Sequence, residues 1–107
     1  MDNRIFPYLQ NMLDLTARRQ QALASNIANI DTPGYKSQDV VFQQELSGAT
    51  ATKVIELEGK MKENGNNVDL ESTMTELTKN GLQYLTLVQY MNQKIKTLRA
   101  AMIEGGR

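Results

Sequence analysis

The sequence predicts a mainly α fold. Long N- and C-terminal helices pair as a coiled-coil-like hairpin, joined by a short irregular segment that can hold a small β element. Three observations predict this. Apolar residues recur at helical spacing from Ile5 to Ile30. A heptad pattern runs from Leu70 to Met102. Between them, Thr32-Pro33-Gly34-Tyr35 and Asn64-Gly65 punctuate the chain as turns. Residues 1–35 and 66–107 are expected to form one paired-helix domain, with 36–65 as the connection.

The first helix is expected over roughly Asn3 to Ile30. Pro7 is tolerated only in a first turn, which bounds the start. The stripe Ile5, Leu9, Met12, Leu13, Leu23, Ile27 and Ile30 is supplemented by small alanines and interrupted by Arg18-Arg19-Gln20-Gln21. A residue before proline is pushed out of the helical region, so Thr32 ends the helix. Thr32 to Tyr35 then fits a type II turn, with Pro second and Gly third.

The middle is less regular. Val40-Val41-Phe42 reads as a strand or a buried extended segment. Ser47 to Thr52 reads as a loop, and Lys53 to Met61 as a strand or a short helix. Lys62 to Asn67 is a turn-rich linker.

Asp69 is a good N-cap for the last helix, and Glu71 suits its positive end. Leu70, Met74, Leu77, Gly81, Tyr84, Val88, Met91, Ile95, Leu98 and Met102 then alternate spacings of four and three, a coiled-coil seam. Lys94, Lys96 and Arg99 favour the negative end, and Gly105-Gly106 stops the helix. Leu82, Leu85 and Leu87 widen the apolar surface beyond what one partner helix covers. Gly81 marks either a close helix approach or a weak point.

Composition excludes several functions. The 107 residues carry 12 basic and 12 acidic side chains, so no basic surplus favours nucleic acid. Arg18 and Arg19 read as solvated or carboxylate-paired. With no cysteine and no histidine, disulfides, thiol nucleophiles, imidazole bases and Cys/His zinc sites are absent. The carboxylates assemble no acid–base pair, and no glycine-rich phosphate loop follows a strand. No enzyme, cofactor, metal or small-molecule substrate is therefore expected. No apolar run is long enough to span a bilayer, and the N-terminus lacks the apolar core of a secretory signal. Two Phe, four Tyr and no Trp make a thin core, so part of the apolar surface is expected to need a partner chain.

Leu23-Ala24-Ser25-Asn26-Ile27-Ala28-Asn29, followed by Asp31-Thr32-Pro33-Gly34-Tyr35-Lys36, resembles the N-terminal signature of bacterial flagellar rod, hook and hook-associated axial proteins. Leu13-Asp14-Leu15, Arg19-Gln20, Asp39, Phe42 and the run Gly65-Asn66-Asn67-Val68-Asp69-Leu70-Glu71 place the resemblance in the proximal-rod branch of that family. It covers about residues 9 to 46 and 65 to 104. The middle looks shorter than is usual there.

The resemblance implies a non-catalytic structural subunit, self-assembling helically with other rod proteins on the membrane-ring and export-gate base of the basal body. It also implies type III export without a cleaved signal peptide. The alternatives are a C-type rod component and a cytosolic helical-hairpin export adaptor or chaperone. Expected subunit-interface residues are Asn26, Ile27, Asn29, Pro33 and Tyr35 at the junction, and Leu77, Tyr84, Val88, Ile95 and Leu98 on the seam. The terminal helices are expected to gain order on assembly.

Overall fold

Helix α1 spans Ile5–Ala28. The computed structural model of the chain describes residues 4–44 and 50–105, so the expected helix start near Asn3 lies outside the described residues. Pro7 sits in the first turn, where its missing N–H costs nothing. The C-terminal end comes two residues before the expected Ile30. Asn29 is the cap at φ −104°. Its side-chain Nδ2 donates to the Ser25 carbonyl at 2.8 Å, an oxygen that also accepts the Asn29 backbone N–H. Such local side-chain bonding competes with helix continuation.

Strands β1 (Gln38–Gln44) and β2 (Thr50–Glu56) form a two-stranded antiparallel sheet, with Gln38 opposite Glu56 and Gln44 opposite Thr50. This settles Lys53 to Glu56 as strand, whereas Leu57 to Met61 is neither strand nor helix. Thr50 to Thr52, expected in a loop, belongs to β2, because pairing with Phe42 to Gln44 satisfies its backbone. The remainder of that expected loop, up to Ala49, lies outside the described residues. On β1 Val40 is buried, at 3% exposure, while Val41 and Phe42 stay partly exposed.

Helix α2 spans Leu70–Gly105. Asp69 caps it, accepting the Ser72 N–H at 3.0 Å. Its 36 residues make it about 54 Å long. Because it continues to Gly105, Lys94, Lys96 and Arg99 lie more than a turn from its end and gain little from the dipole.

The helices run antiparallel. Asn80 meets Thr16 and Gln20, and Glu76 meets Arg19. The α1 stripe Leu9, Thr16, Leu23 and Asn26 is buried. On α2 the buried positions are Thr73 and Asn80, with Leu77, Leu87, Val88 and Met91 half-buried. The sequence seam is thus turned away from α1 at both ends: Leu70, Met74, Ile95, Leu98 and Met102 are exposed. Buried Asn66 to Val68 and the Asn80 bonds fix this rotation, which favours the residue preceding each of Met74, Gly81 and Val88.

Candidate assembly site

The junction between helix exit and helix re-entry is built from asparagine side chains. Asn26, 1% exposed, acts as a short strand edge. Its Oδ1 accepts the Gln38 N–H at 2.9 Å, and its Nδ2 donates to the Gln38 carbonyl at 2.9 Å. The Tyr35 hydroxyl donates to the same Oδ1 at 3.0 Å. Only a carboxamide offers donor and acceptor in this geometry, so Asn26 ties α1 to the start of β1.

Asn67 repeats the device from the other side. Its Oδ1 accepts the Ser37 N–H at 2.6 Å and its Nδ2 donates to the Leu57 carbonyl at 2.7 Å, closing the base of the β hairpin. Fully buried Asn66 donates through Nδ2 to the carbonyls of Asn29 and Thr32, each at 2.8 Å, while its Oδ1 accepts the Val68 N–H. It gives a second donor to carbonyls at and just past the cap of α1, which also accept the N–H groups of Thr32 and Tyr35.

Two turns lean on each other here. Gly34 has φ 76°, and the Tyr35 N–H reaches the Thr32 carbonyl at 3.3 Å, the type II geometry expected. Gly65 has φ 81°, and a Cβ there would stand 3.4 Å from the Gly34 Cα. The Gly34 N–H donates to the Asn64 carbonyl, and Lys36 Nζ to the Gly65 carbonyl.

Below the junction Arg19 joins three elements. Nε and Nη2 donate to the Asp39 carboxylate at 2.8 and 3.3 Å, and Glu76 lies 3.6 Å away. The bond to Asp39 raises the Arg19 pKa above its ordinary value, against the opposing effect of burial. A raised cation pKa stabilises below the unfolded value and is lost only as pH climbs through the folded one. For arginine that window lies above any working pH. The polar interruption in the α1 stripe is therefore occupied: Arg19 holds Asp39, and Gln20 accepts from Asn80 Nδ2 at 2.9 Å. Asn80 Oδ1 is buried without a donor among the described residues, which costs about 1–3 kcal/mol. Such a buried polar side chain specifies helix register rather than adding stability.

The ten residues named from sequence fall into two groups. Asn26, Ile27, Asn29 and Tyr35 converge at the junction, buried or half-buried, with Pro33 exposed beside them. The Asn26 amide is engaged within the chain, by Gln38 and Tyr35, as an internal tie. Leu77 and Val88 are half-buried toward α1, whereas Tyr84, Ile95 and Leu98 are exposed. Sequence reasoning missed Asn66 and Asn67 as junction residues. Their signal was an Asn pair directly before a helix cap. It also missed exposed Leu82 and Leu85 as surface candidates, although it placed both off the seam. Gly81 is no close approach: an added Cβ would meet Gln20 Nε2 at 3.9 Å, ordinary contact.

A helical hairpin locked at one end by amides, with an apolar helix face left bare, defines a subunit built to be completed by other chains. The family described as Flagella basal body rod protein matches residues 10–36. Curated relatives include the flagellar basal body rod protein FlgB of Bacillus subtilis (strain 168), 36% identical across 91% of this chain and 92% of the relative. FlgB of Aeromonas hydrophila is 31% identical across 94% and 93%, and FlgB of Escherichia coli (strain K12) 31% across 92% of each. The chain belongs to the flagellar basal body rod protein FlgB family. The aligned spans, 118 to 127 positions, exceed its 107 residues, so these relatives carry residues it lacks.

Proposed function

We propose that this chain is a structural subunit of the proximal rod of the flagellar basal body, acting by assembly and not by catalysis. The observation that carries this reading is the similarity to FlgB proteins along nearly the whole chain. The bare face of α2 supports it: Leu82, Leu85, Ile95, Met102 and Ile103 are all more than 40% exposed. Exposed apolar stripes on this scale mark interaction surfaces.

Subunit contacts are assigned to Tyr84, Ile95 and Leu98 with their neighbours Leu82 and Leu85, and to Pro33 at the junction. Ile27, Leu77 and Val88 shape the helix pair, while Asn26, Asn29 and Tyr35 hold the joint that aims it. The partners are further copies, other rod proteins and the membrane-ring and export-gate base. Among the described residues no helix is long and apolar enough to cross a membrane. Export through the flagellar type III apparatus, without a cleaved signal, would place the subunit in the periplasmic rod. Co-fractionation tests the reading: the chain is expected in purified basal bodies, and recovery only in the soluble cytoplasm would overturn it in favour of an export adaptor.

A further inference from the structure

The chain contains two Asn-Gly steps, Asn64-Gly65 and Asn80-Gly81. This dipeptide is prone to deamidation, because glycine puts no Cβ in the way of its own backbone nitrogen. The Gly nitrogen gives up its proton to a solvent base and attacks the Asn Cγ. A new C–N bond forms, the bond from Cγ to Nδ2 breaks, and the nitrogen leaves as ammonia with a proton from solvent. Water then opens the succinimide, giving aspartate or, when the main-chain carbonyl is cleaved, isoaspartate. Nothing is oxidised or reduced. In an unfolded chain the two steps are chemically equivalent.

The fold sets them apart. Ring closure requires the Asn Cβ and the Gly nitrogen to be eclipsed about the Cα–C bond. At the joint the Gly65 N–H donates to the Lys62 carbonyl at 2.9 Å and closes a turn. Among the described residues no peptide bond is cis and only glycines have positive φ, so this turn is type I. Asn64, its third residue, then has ψ of about 0°, which puts its own nitrogen in the eclipsed place and turns Cβ away. Its Oδ1 is also engaged, accepting the Asn66 N–H at 3.1 Å. Yet Asn64 is exposed, and opening the turn breaks a few local hydrogen bonds without uncovering any core.

Asn80 stands in a different setting. It is 1% exposed, and its Nδ2 donates to the Thr16 carbonyl at 2.7 Å and to Gln20 Oε1 at 2.9 Å. Helical ψ, about −42°, again leaves Cβ uneclipsed. Reaching closure here means unwinding α2 and parting it from α1. We propose that Asn64 is the deamidation site of the folded protein, and that Asn80 is converted only when the helix pair comes apart. These sites belong to the free monomer and do not depend on the rod-subunit reading.

The two products differ in consequence. Aspartate at position 64 still offers an oxygen to the Asn66 N–H. Isoaspartate there lengthens the main chain by one methylene between Lys62 and fully buried Asn66, which are held together by the Lys62 N–H to Asn66 carbonyl bond. Aspartate at position 80 removes the donor to Thr16 and sets a buried negative charge against that carbonyl. A chain left unfolded thereby loses the residue that orients α2.

Peptide mapping by mass spectrometry tests this on full-length protein kept in mildly alkaline buffer, either native or in unfolding urea, with circular dichroism confirming each state. In urea the two sites should convert at rates within about threefold, the spread reflecting residual structure. In the folded protein Asn64 should convert at least ~tenfold faster than Asn80, because an exposed turn opens far more often than the whole molecule. Asn64 should itself be slower than in urea. Equal rates at the two sites in the folded protein, faster conversion of Asn80, or an Asn64 rate that folding leaves unchanged would each overturn the proposal. Asn64→Asp should keep the urea midpoint, while Asn80→Asp should lower it or leave the chain unfolded. An unaltered midpoint in Asn80→Asp would refute the consequence for helix orientation.

Discussion

The two ends of this molecule solve the problem of a thin core in opposite ways. At the junction, buried amides satisfy one another and the backbone within the chain. At the far end of α2, apolar side chains are exposed, with no partner helix among the described residues. Among the described residues five apolar side chains are buried (Leu9, Ala22, Leu23, Val40 and Val68), fewer than the seven buried polar ones, so hydrogen bonds define the interior as much as hydrophobic burial does. A buried amide network is costly when partly satisfied and specific when complete. The junction is therefore suited to holding one geometry, and the free end to finding a partner.

Breaking the junction should give the largest effect. Asn66→Ala strands the buried Val68 N–H and removes one of the two donors from each of the carbonyls of Asn29 and Thr32, which keep the N–H groups of Thr32 and Tyr35. With one stranded group at about 1–3 kcal/mol and two hydrogen bonds at about 0.5–1.5 kcal/mol each, a loss of at least ~2 kcal/mol is expected in urea unfolding. A loss under about 1 kcal/mol would show that the amides are incidental to the joint. Arg19→Met removes the tie among α1, β1 and α2. Its carboxylate partners stay partly hydrated, so about 1–2 kcal/mol should be lost, read by the same titration. The loss should shrink markedly in a background already carrying Asp39→Asn, because a double-mutant cycle isolates their coupling.

The helix pair between the two ends should respond in the other direction. Gly81→Ala meets only the end of Gln20, so the gain in helix propensity should raise stability by about 0.5–1 kcal/mol, seen as a higher midpoint. A decrease would mean that the helices approach more closely than the 3.9 Å contact indicates. Smallest of all, Met102→Asp at the free end should shift monomer stability by no more than about 0.5 kcal/mol. A large loss there would show that the projecting end is packed in the monomer and would dissolve the contrast between the ends.

Much of this architecture was legible in the sequence because its signals are local. Thr32-Pro33-Gly34 bars a helix from continuing by sterics that need no tertiary partner, although Asn29 ends it a few residues earlier, and Asp69 caps α2 through a residue three positions on. The alternating spacings from Leu70 to Met102 marked a long helix, and the signature around Asn26 and Asn29 marked the family. The candidate site was only half legible. Tyr84, Ile95 and Leu98 could be named as apolar seam residues, but not as exposed ones, because periodicity gives a face without saying what covers it.

Three matters were decided by tertiary structure alone. Thr50 to Glu56 became a strand because β1 was there to pair with it. Asn26 became an internal tie because Gln38, twelve positions away, presents both its N–H and its carbonyl to one carboxamide. The rotation of α2 was set by Asn66 and Asn80, whose partners lie 34 to 64 positions away in sequence. The sequence by itself determined two helices, their turns and their family. Which helix face is buried and which is left for another chain depends on hydrogen bonds between distant residues, and those exist only once the chain has folded.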